Sequence, residues 1–303
     1  MNTVLDTELK LPVFGKGKVR DTYITGNHLL MIATDRISAF DVVLPTGIPD
    51  KGAVLNQVSA FWFARTYDIV PNHLVESVES RRALARYAIG KRPLPEWLMG
   101  RSMVVLKAER IPVECVVRGY IAGSAWAEYK KLGTINGIKA PSGLKESQEL
   151  PEPLFTPTTK ADEGHDMPLT PQQLAGLVGS KTARQLEDKS LALYHFARDY
   201  AIERGIIIAD TKFEFGHYDK EMILIDEALT PDSSRFWDAG LYQPGQVQPS
   251  YDKQPVRDWL IESGWDQKAP APALPPDVVE ATAERYRDAY DFLTGRKLKN
   301  VFS

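Results

Sequence analysis

Ile206-Ile-Ile-Ala-Asp-Thr-Lys-Phe-Glu-Phe215 begins as an apolar run and then alternates charge with small or aromatic side chains. As an extended strand it projects Asp210, Lys212 and Glu214 on one face and Thr211, Phe213 and Phe215 on the other. An acid-base-acid row is costly to bury unless something compensates it, such as a metal or an anionic ligand. The alternative is the solvated outer face of an edge strand. Asp210 and Glu214 stand ~13 Å apart on a straight strand, too far to chelate one ion together. Downstream, Met222-Ile-Leu-Ile225 ends in Asp226-Glu227. A hairpin closed around Gly216–Glu221 brings that acidic pair beside the Asp210–Lys212 region, with the register open by one residue. Carboxylates with no His or Cys among them suit Mg²⁺ rather than zinc, and Mg²⁺ usually accompanies substrate phosphates.

Working outward, Thr182–Arg204 carries Leu186, Leu193, Phe196, Tyr200 and Ile202 as the apolar stripe of a helix. Toward the N-terminus, 18–24 and 28–34 are β-favouring runs split by Thr25-Gly26-Asn27, a hairpin signal. Residues 102–108 and 111–117 are further strand candidates, while 55–67 and, more weakly, 79–89 have helical spacing. Gly123–Leu132 is expected as a helix capped by Ser124 and ended by Gly133. Residues 140–170, rich in Pro, Ser, Thr and Gly without apolar periodicity, are expected to form a long loop, which in a compact domain is more often functional than idle. The proline-rich stretch 269–276 leads into a last helix over 277–293.

Several loops could hold anions. Phe14-Gly-Lys-Gly-Lys-Val-Arg20 sets Gly15, Lys16, Gly17, Lys18 and Arg20 at the mouth of a hairpin, where a phosphate or nothing more than a basic turn is served. Asp35-Arg-Ile-Ser-Ala-Phe-Asp41 follows a strand and mixes charge with small residues, as binding loops and salt-bridged corners both do. Arg118-Gly-Tyr-Ile-Ala-Gly-Ser124 passes from a strand into a helix and offers an arginine, a hydroxyl and free N–H groups. Thr230-Pro-Asp-Ser-Ser-Arg235 is a turn whose arginine is either an anion clamp or a surface ion pair. Ser250–Arg257 adds Asp252, Lys253 and Arg257 ahead of a helix.

The 303 residues suggest about two domains, at roughly 150 residues each. With 37 basic against 40 acidic residues the net charge is -3, which leaves no polybasic footprint for nucleic acid. Apolar runs such as Leu29–Ala33 are far shorter than the roughly 20 residues of a membrane span. The start MNTVLDTELK has no apolar core of a secretory signal, and the single cysteine, Cys115, fits a reducing compartment. A cytoplasmic enzyme is therefore expected. The five histidines are scattered, and neither a zinc motif nor a GxSxG elbow is present, which argues against metallohydrolase and serine-hydrolase chemistry.

Taken together, these segments resemble the phosphoribosylaminoimidazole-succinocarboxamide synthase (SAICAR synthetase) family in its longer form. The matching blocks are GKVRDTY (17–23), ATDRISAFD (33–41), PVECVVRGYIAGSAWAEYKKLGT (112–134), FTPTTKADEGHD (155–166), ADTKFEFG (209–216), IDEALTPDSSRFWD (225–238) and SYDKQPVRDWL (250–260). Met167-Pro-Leu-Thr170 departs from the family's usual Glu-Asn continuation, and nothing beyond about Gly264 matches a motif.

The resemblance implies a two-domain α+β fold: a kinase-like or ATP-grasp-like, β-rich nucleotide-binding domain over 1–108 and a larger α+β substrate- and metal-binding domain over 109–303, with ATP in the cleft between. It implies ATP-dependent joining of CAIR, a carboxylated aminoimidazole ribotide, to L-aspartate through an acyl phosphate. Gly15, Lys16, Gly17, Lys18, Arg20, Lys107 and Glu214 correspond to ATP contacts. Arg118, Ser124 and Arg235 correspond to ribotide contacts, with Asp35, Ser38, Asp41, Lys253 and Arg257 also assigned to CAIR or aspartate. Asp210, Glu214 and Asp226 correspond to acids around Mg²⁺, and Lys212 with Asp210 to the catalytic pair. Partners are expected to be these small molecules, with no nucleic acid and no membrane, in a monomer or homodimer. A small-molecule kinase is the alternative enzyme, and a nucleotide-binding module without turnover the alternative outside catalysis.

Overall fold

The alternating stretch forms a strand, Ile206–Tyr218, whose Thr211, Phe213 and Phe215 are buried while Lys212 is exposed and Asp210 and Glu214 lie part-way to the surface. This computed structural model describes residues 3–87, 94–160 and 167–298. Burying Phe213 and Phe215 contributes about 1.5–3 kcal/mol each. That term fixes the register, because a slip of one residue would turn both rings to solvent and the charged row inward. The strand pairs with Glu221–Ile225 from Glu214↔Ile225 to Tyr218↔Glu221. Asp219 and Lys220, both at positive φ, make the two-residue turn. The strands therefore run further than the sequence reading had them, through Gly216 to Tyr218.

On its other side Ile206–Tyr218 pairs with Glu109–Tyr120, and its first half also pairs with Ser234–Asp238. Glu149–Phe155 lies on the outer side of Glu109–Tyr120, and Thr158–Thr159 completes a six-stranded antiparallel sheet. Helix Ser180–Ile202 packs on the aromatic face, burying Leu186, Leu193 and Ala197, and Tyr194 donates a 2.7 Å hydrogen bond to the carbonyl of Ile208. Cys115 is fully buried in this layer, and burial pushes its thiol well above the ordinary range, so it is an inert core residue.

The expected 140–170 loop is in part regular structure. Pro151 and Pro153 made Glu149–Phe155 read as loop, yet at a sheet edge a strand tolerates residues without an N–H. Residues 161–166, which end the FTPTTKADEGHD block, lie outside the described residues. Pro171–Val178 is an additional helix, opened by a Thr170–Gln173 capping box.

Contacts divide the chain into two units. Residues Ala64–Asn72 and Ala108–Ser250 form the one just described; Met1–Phe63, His73–Lys107 and Tyr251–Ser303 form the other. The latter contains a five-stranded antiparallel sheet in the order Val13–Lys16, Arg20–Thr25, His28–Ala33, Ser102–Leu106, Leu74–Ser77. The expected first hairpin is Arg20–Thr25 with His28–Ala33, with Gly26 left-handed in its turn. Helix Lys51–Arg65 begins earlier than its apolar spacing suggested, because the Asp35 carboxylate accepts from the Gly52 N–H at 2.9 Å and fixes its first turn. The weaker candidate at 79–89 is a short helix, Arg81–Arg86, capped by Ser80, and residues 88–89 lie outside the described residues. Helices Gln254–Glu262 and Pro276–Thr294 bury Val256, Leu260 and Ala283 against Ile37, Leu44 and Ile48. The structure thus groups residues 251–298 with the N-terminal sheet, whereas the sequence partition kept 109–303 together.

Candidate active site

Three strands put three charges in one row. Asp210 sits opposite Arg118 on Glu109–Tyr120 and opposite Arg235 on Ser234–Asp238. Cross-strand neighbours on one face touch, and here both guanidiniums converge on one oxygen, Asp210 Oδ2, at 3.2 Å from Arg118 and 2.7 Å from Arg235. Arg118 also donates through Nε to Thr156 Oγ1 at 3.0 Å and through its remaining nitrogen to Ser124 Oγ at 3.3 Å. Burial lowers the Arg118 pKa, opposed by Asp210, while neighbouring Arg235 lowers it further. Two cations sharing one carboxylate leave the end of the row with an excess positive charge, the electrostatics of an anion receptor.

Space for this arrangement comes from Gly123. It stands at φ +56°, and a Cβ there would meet Arg235 at 2.7 Å. Helix Gly123–Leu132 occupies the span expected, with left-handed Gly133 as its stop. Its N-cap, however, is Ala122 with no side-chain bond. Ser124 turns its hydroxyl to Arg118 instead of closing the helix.

Further along the same face Lys212 lies between Glu114 and Arg118 in the register, and its ammonium is 2.7 Å from Glu114 Oε2. Lys160 bridges Glu114 at 3.2 Å and Glu214 at 2.9 Å. Burial by itself would raise the Glu114 carboxyl, but Lys212 and Lys160 outweigh it and hold the pKa below its ordinary value. For Lys160, burial works downward, yet Glu214, Glu114 and Asp226 drive the pKa well above the ordinary lysine range. Glu114, Thr156 and Lys160 were not singled out from the sequence. Glu114 was findable by the logic applied to 210–214, since it is an acid one residue out of phase with the apolar face formed by Ile111, Val113, Cys115 and Val117.

The acids assigned to Mg²⁺ do not gather around a single point, in keeping with the spacing of Asp210 and Glu214 along one strand. Among the described residues no three His, Cys, Asp or Glu side chains converge to hold an ion, because Asp210 and Glu214 are four residues apart on one strand and Asp210 serves two arginines. The Glu214 end does suit a cation. Glu214 and Glu114 already hold the Lys160 ammonium, and Asp226, at φ +66° just past its strand, adds its charge to the same side. That set fits an ion carried in on phosphates and held by one or two carboxylates.

The other unit holds the remaining candidates. Gly17, Lys18 and Val19 form the turn between Val13–Lys16 and Arg20–Thr25, closed by Gly17 N–H donating to the Arg20 carbonyl at 2.7 Å. Lys18 pairs with Asp41 at 2.6 Å, and the Lys107 ammonium lies 5.7 Å from the Phe14 ring beside Gly15. Lys16 pairs with Asp6. Ser38 belongs to a small hairpin, Ser38–Ala39 with Val42–Val43, whose turn residues Phe40 and Asp41 both stand at positive φ. Asp35 is enclosed, bound by Val4 N–H, Gly52 N–H and Arg101. Lys253 precedes helix Gln254–Glu262, and Arg257 pairs with buried Asp252 at 3.0 Å. A cavity of ≈ 560 Å³, where Arg287 and Lys297 pair with Asp50, Glu280 and Asp291 beside Glu284 and Asp288, contains none of these candidates.

The sequence matches the SAICAR synthetase family over residues 13–272. The chain belongs to the SAICAR synthetase family. A phosphoribosylaminoimidazole-succinocarboxamide synthase from Thermodesulfovibrio yellowstonii is 52% identical over 297 residues, 97% of this chain and 99% of that protein. The solved SAICAR synthase from Saccharomyces cerevisiae, complexed with SAICAR, is 47% identical with a TM-score of 0.90, covering 97% of this chain and 99% of that one. A SAICAR synthetase in complex with ADP is 25% identical with a TM-score of 0.65, covering 95% and 99%. SAICAR synthetases are ATP-dependent ligases that condense CAIR with aspartate in purine biosynthesis, and the α+β fold, the ligase activity and ATP as co-substrate hold for this member. The small-molecule kinase alternative finds no support. No helix among the described residues is long and apolar enough to cross a membrane.

Proposed function

We propose that the row on Ile206–Tyr218 is where the ligase reaction takes place, and that Arg118 and Arg235, oriented by Asp210, receive the anionic ribotide. The observation that carries this reading is the convergence of both guanidiniums on Asp210 Oδ2. The yeast relative was solved with SAICAR and another with ADP, and we take both as ligands of this chain as well. A carboxylate does not condense with an amine unaided. Its oxygen first attacks the γ-phosphorus of ATP, the bond to ADP breaks, and an acyl phosphate forms. The aspartate amine then attacks the acyl carbon, phosphate departs with the C–O electron pair, and the amine loses a proton. Every participant is anionic, so catalysis reduces to bringing negative charges together.

Lys212 is the group placed to do so, an exposed ammonium held by Glu114 between the arginine pair and the acids. The basic turn Gly17–Val19, with Lys16, Arg20 and Lys107 beside it, is proposed to cover the ATP phosphates. Glu214 and Asp226 would hold Mg²⁺, which would offset phosphate charge. No protein nucleophile is needed, consistent with the absence of a triad from the sequence. Lys253, Arg257, Ser38 and Asp41 are proposed to bind substrate less directly, and Asp35 to act by fixing helix Lys51–Arg65. The enzyme is proposed to be cytoplasmic and to act as a monomer or homodimer. The test is ADP release measured with CAIR, aspartate or Mg²⁺ omitted in turn: ADP formed from CAIR alone with a stable phosphorylated product would refute the ligase sequence of steps.

A further inference from the structure

The turn proposed to cover the ATP phosphates carries few side-chain contacts of its own, and its shape is imposed from below by one residue, Arg36. A guanidinium has five N–H donors in a fixed plane, and all five of Arg36 are engaged. Nε donates to the carbonyl of Lys18 at 3.0 Å, and one terminal nitrogen donates to the carbonyl of Leu5 at 2.8 Å and to Asp21 Oδ2 at 3.1 Å. The other donates to the carbonyl of Gly17 at 2.9 Å and to Asp21 Oδ1 at 2.6 Å. Asp21 is completely buried and receives the Thr7 hydroxyl as well, so the anchor cannot drift.

The two turn carbonyls are the informative contacts. In a trans peptide the C=O and the following N–H point in opposite directions. Drawing the carbonyls of Gly17 and Lys18 onto Arg36 therefore aims the N–H groups of Lys18 and Val19 the other way. Neither is taken by an acceptor among the described residues. Successive N–H groups aimed together, next to the Lys18 ammonium, make an anion-binding concavity. Lysine could not replace the device, since it has three donors on a rotating head and no fork to hold two carbonyls and a carboxylate at once.

We infer that Arg36 is a positioning residue for nucleotide phosphate: braced on buried Asp21, it holds the Gly17 and Lys18 carbonyls so that the turn's N–H groups face the phosphate. This rests on the reading that the turn covers ATP phosphates, and the test separates the two. Binding of ATP, ADP and adenosine is measured by calorimetry on the full chain for wild type, Arg36→Lys, Asp21→Asn and Lys18→Ala. Arg36→Lys is expected to weaken ATP and ADP by about tenfold, the loss of one or two charge-assisted hydrogen bonds, while adenosine binding stays within about twofold of wild type. Asp21→Asn, which keeps the carbonyl contacts but loosens the brace, is expected to give a smaller loss with the same phosphate selectivity, and it decides the matter if Arg36→Lys fails to fold. If Lys18→Ala weakens ATP while both brace variants bind it normally, or weaken adenosine equally, the positioning role is overturned. If Lys18→Ala, Arg36→Lys and Asp21→Asn all leave ATP unchanged, the turn does not cover phosphates and both readings fall.

Discussion

Replacing Glu114 with Gln conserves volume and isolates its charge. The side chain is 9% exposed and accepts from Lys212 at 2.7 Å and Lys160 at 3.2 Å. Gln offers one acceptor oxygen, and its amide N–H₂ is a donor facing an ammonium. Breaking a fully buried ion pair costs about 3–5 kcal/mol. Two features reduce that here: Lys212 is half exposed and regains water, and Lys160 keeps Glu214 at 2.9 Å. The expected loss is about 2 kcal/mol at neutral pH, between the exposed and buried limits.

The pH dependence identifies the cause. Glu114 has a folded pKa below its ordinary value of 4.5, so its stabilisation is fully present above that value and is lost as pH falls through the folded value. Wild type and Glu114→Gln should therefore differ in urea denaturation at pH 7 and converge as the pH drops below 4.5 into the range where Glu114 itself protonates. A stability gap that stays constant across that range would show that the charge pairing is not what Glu114 contributes. Turnover at pH 7 should also fall, because Lys212 loses the group that aims it; unchanged turnover would remove Glu114 from the site.

Lys212→Ala should cut turnover by about 10²–10³-fold, the scale for losing one group that stabilises developing charge, with a wild-type circular dichroism spectrum; near-normal activity would exclude it from the mechanism. Arg118→Ala should raise KM for CAIR by about 10–100-fold, from the loss of charged hydrogen bonds, and far more than KM for aspartate; equal effects would count against the ribotide assignment. Gly123→Ala should cost about 1–2 kcal/mol in backbone strain alone and displace Arg235 from Asp210, seen as a CAIR affinity loss that a left-handed-tolerant Asn does not fully restore.

The row on Ile206–Tyr218 was legible because alternation is local: residues 210–215 carry both faces of the strand in six letters. The convergence of Arg118 and Arg235 was not, since each lies on a different strand and only the register places them beside Asp210. Glu149–Phe155 was hidden by Pro151 and Pro153, whose local preference for loop is overridden at a sheet edge. Ser124 shows the opposite limit. Its position signalled a cap, but a nearby guanidinium competes for the same hydroxyl, and tertiary pairing wins. Arg36 stood in a stretch whose mixed charge fitted a binding loop or a salt-bridged corner, but its contacts with the carbonyls of Leu5, Gly17 and Lys18 were not legible, because backbone acceptors carry no label in the sequence.

The grouping of residues 251–298 with the N-terminal sheet has a consequence for biosynthesis. The unit that contains Ala108–Ser250 starts later in the chain, yet it has all its strands once residue 250 has been made. The unit that starts first must wait for Val256, Leu260 and Ala283 before Ile37, Leu44 and Ile48 are covered. At about 5–20 residues per second, translating from residue 251 to Ala283 takes roughly 2–7 s. During that interval the N-terminal part of the nascent chain carries an open apolar surface, so its capture by chaperones should end only once helix Pro276–Thr294 has emerged and packed.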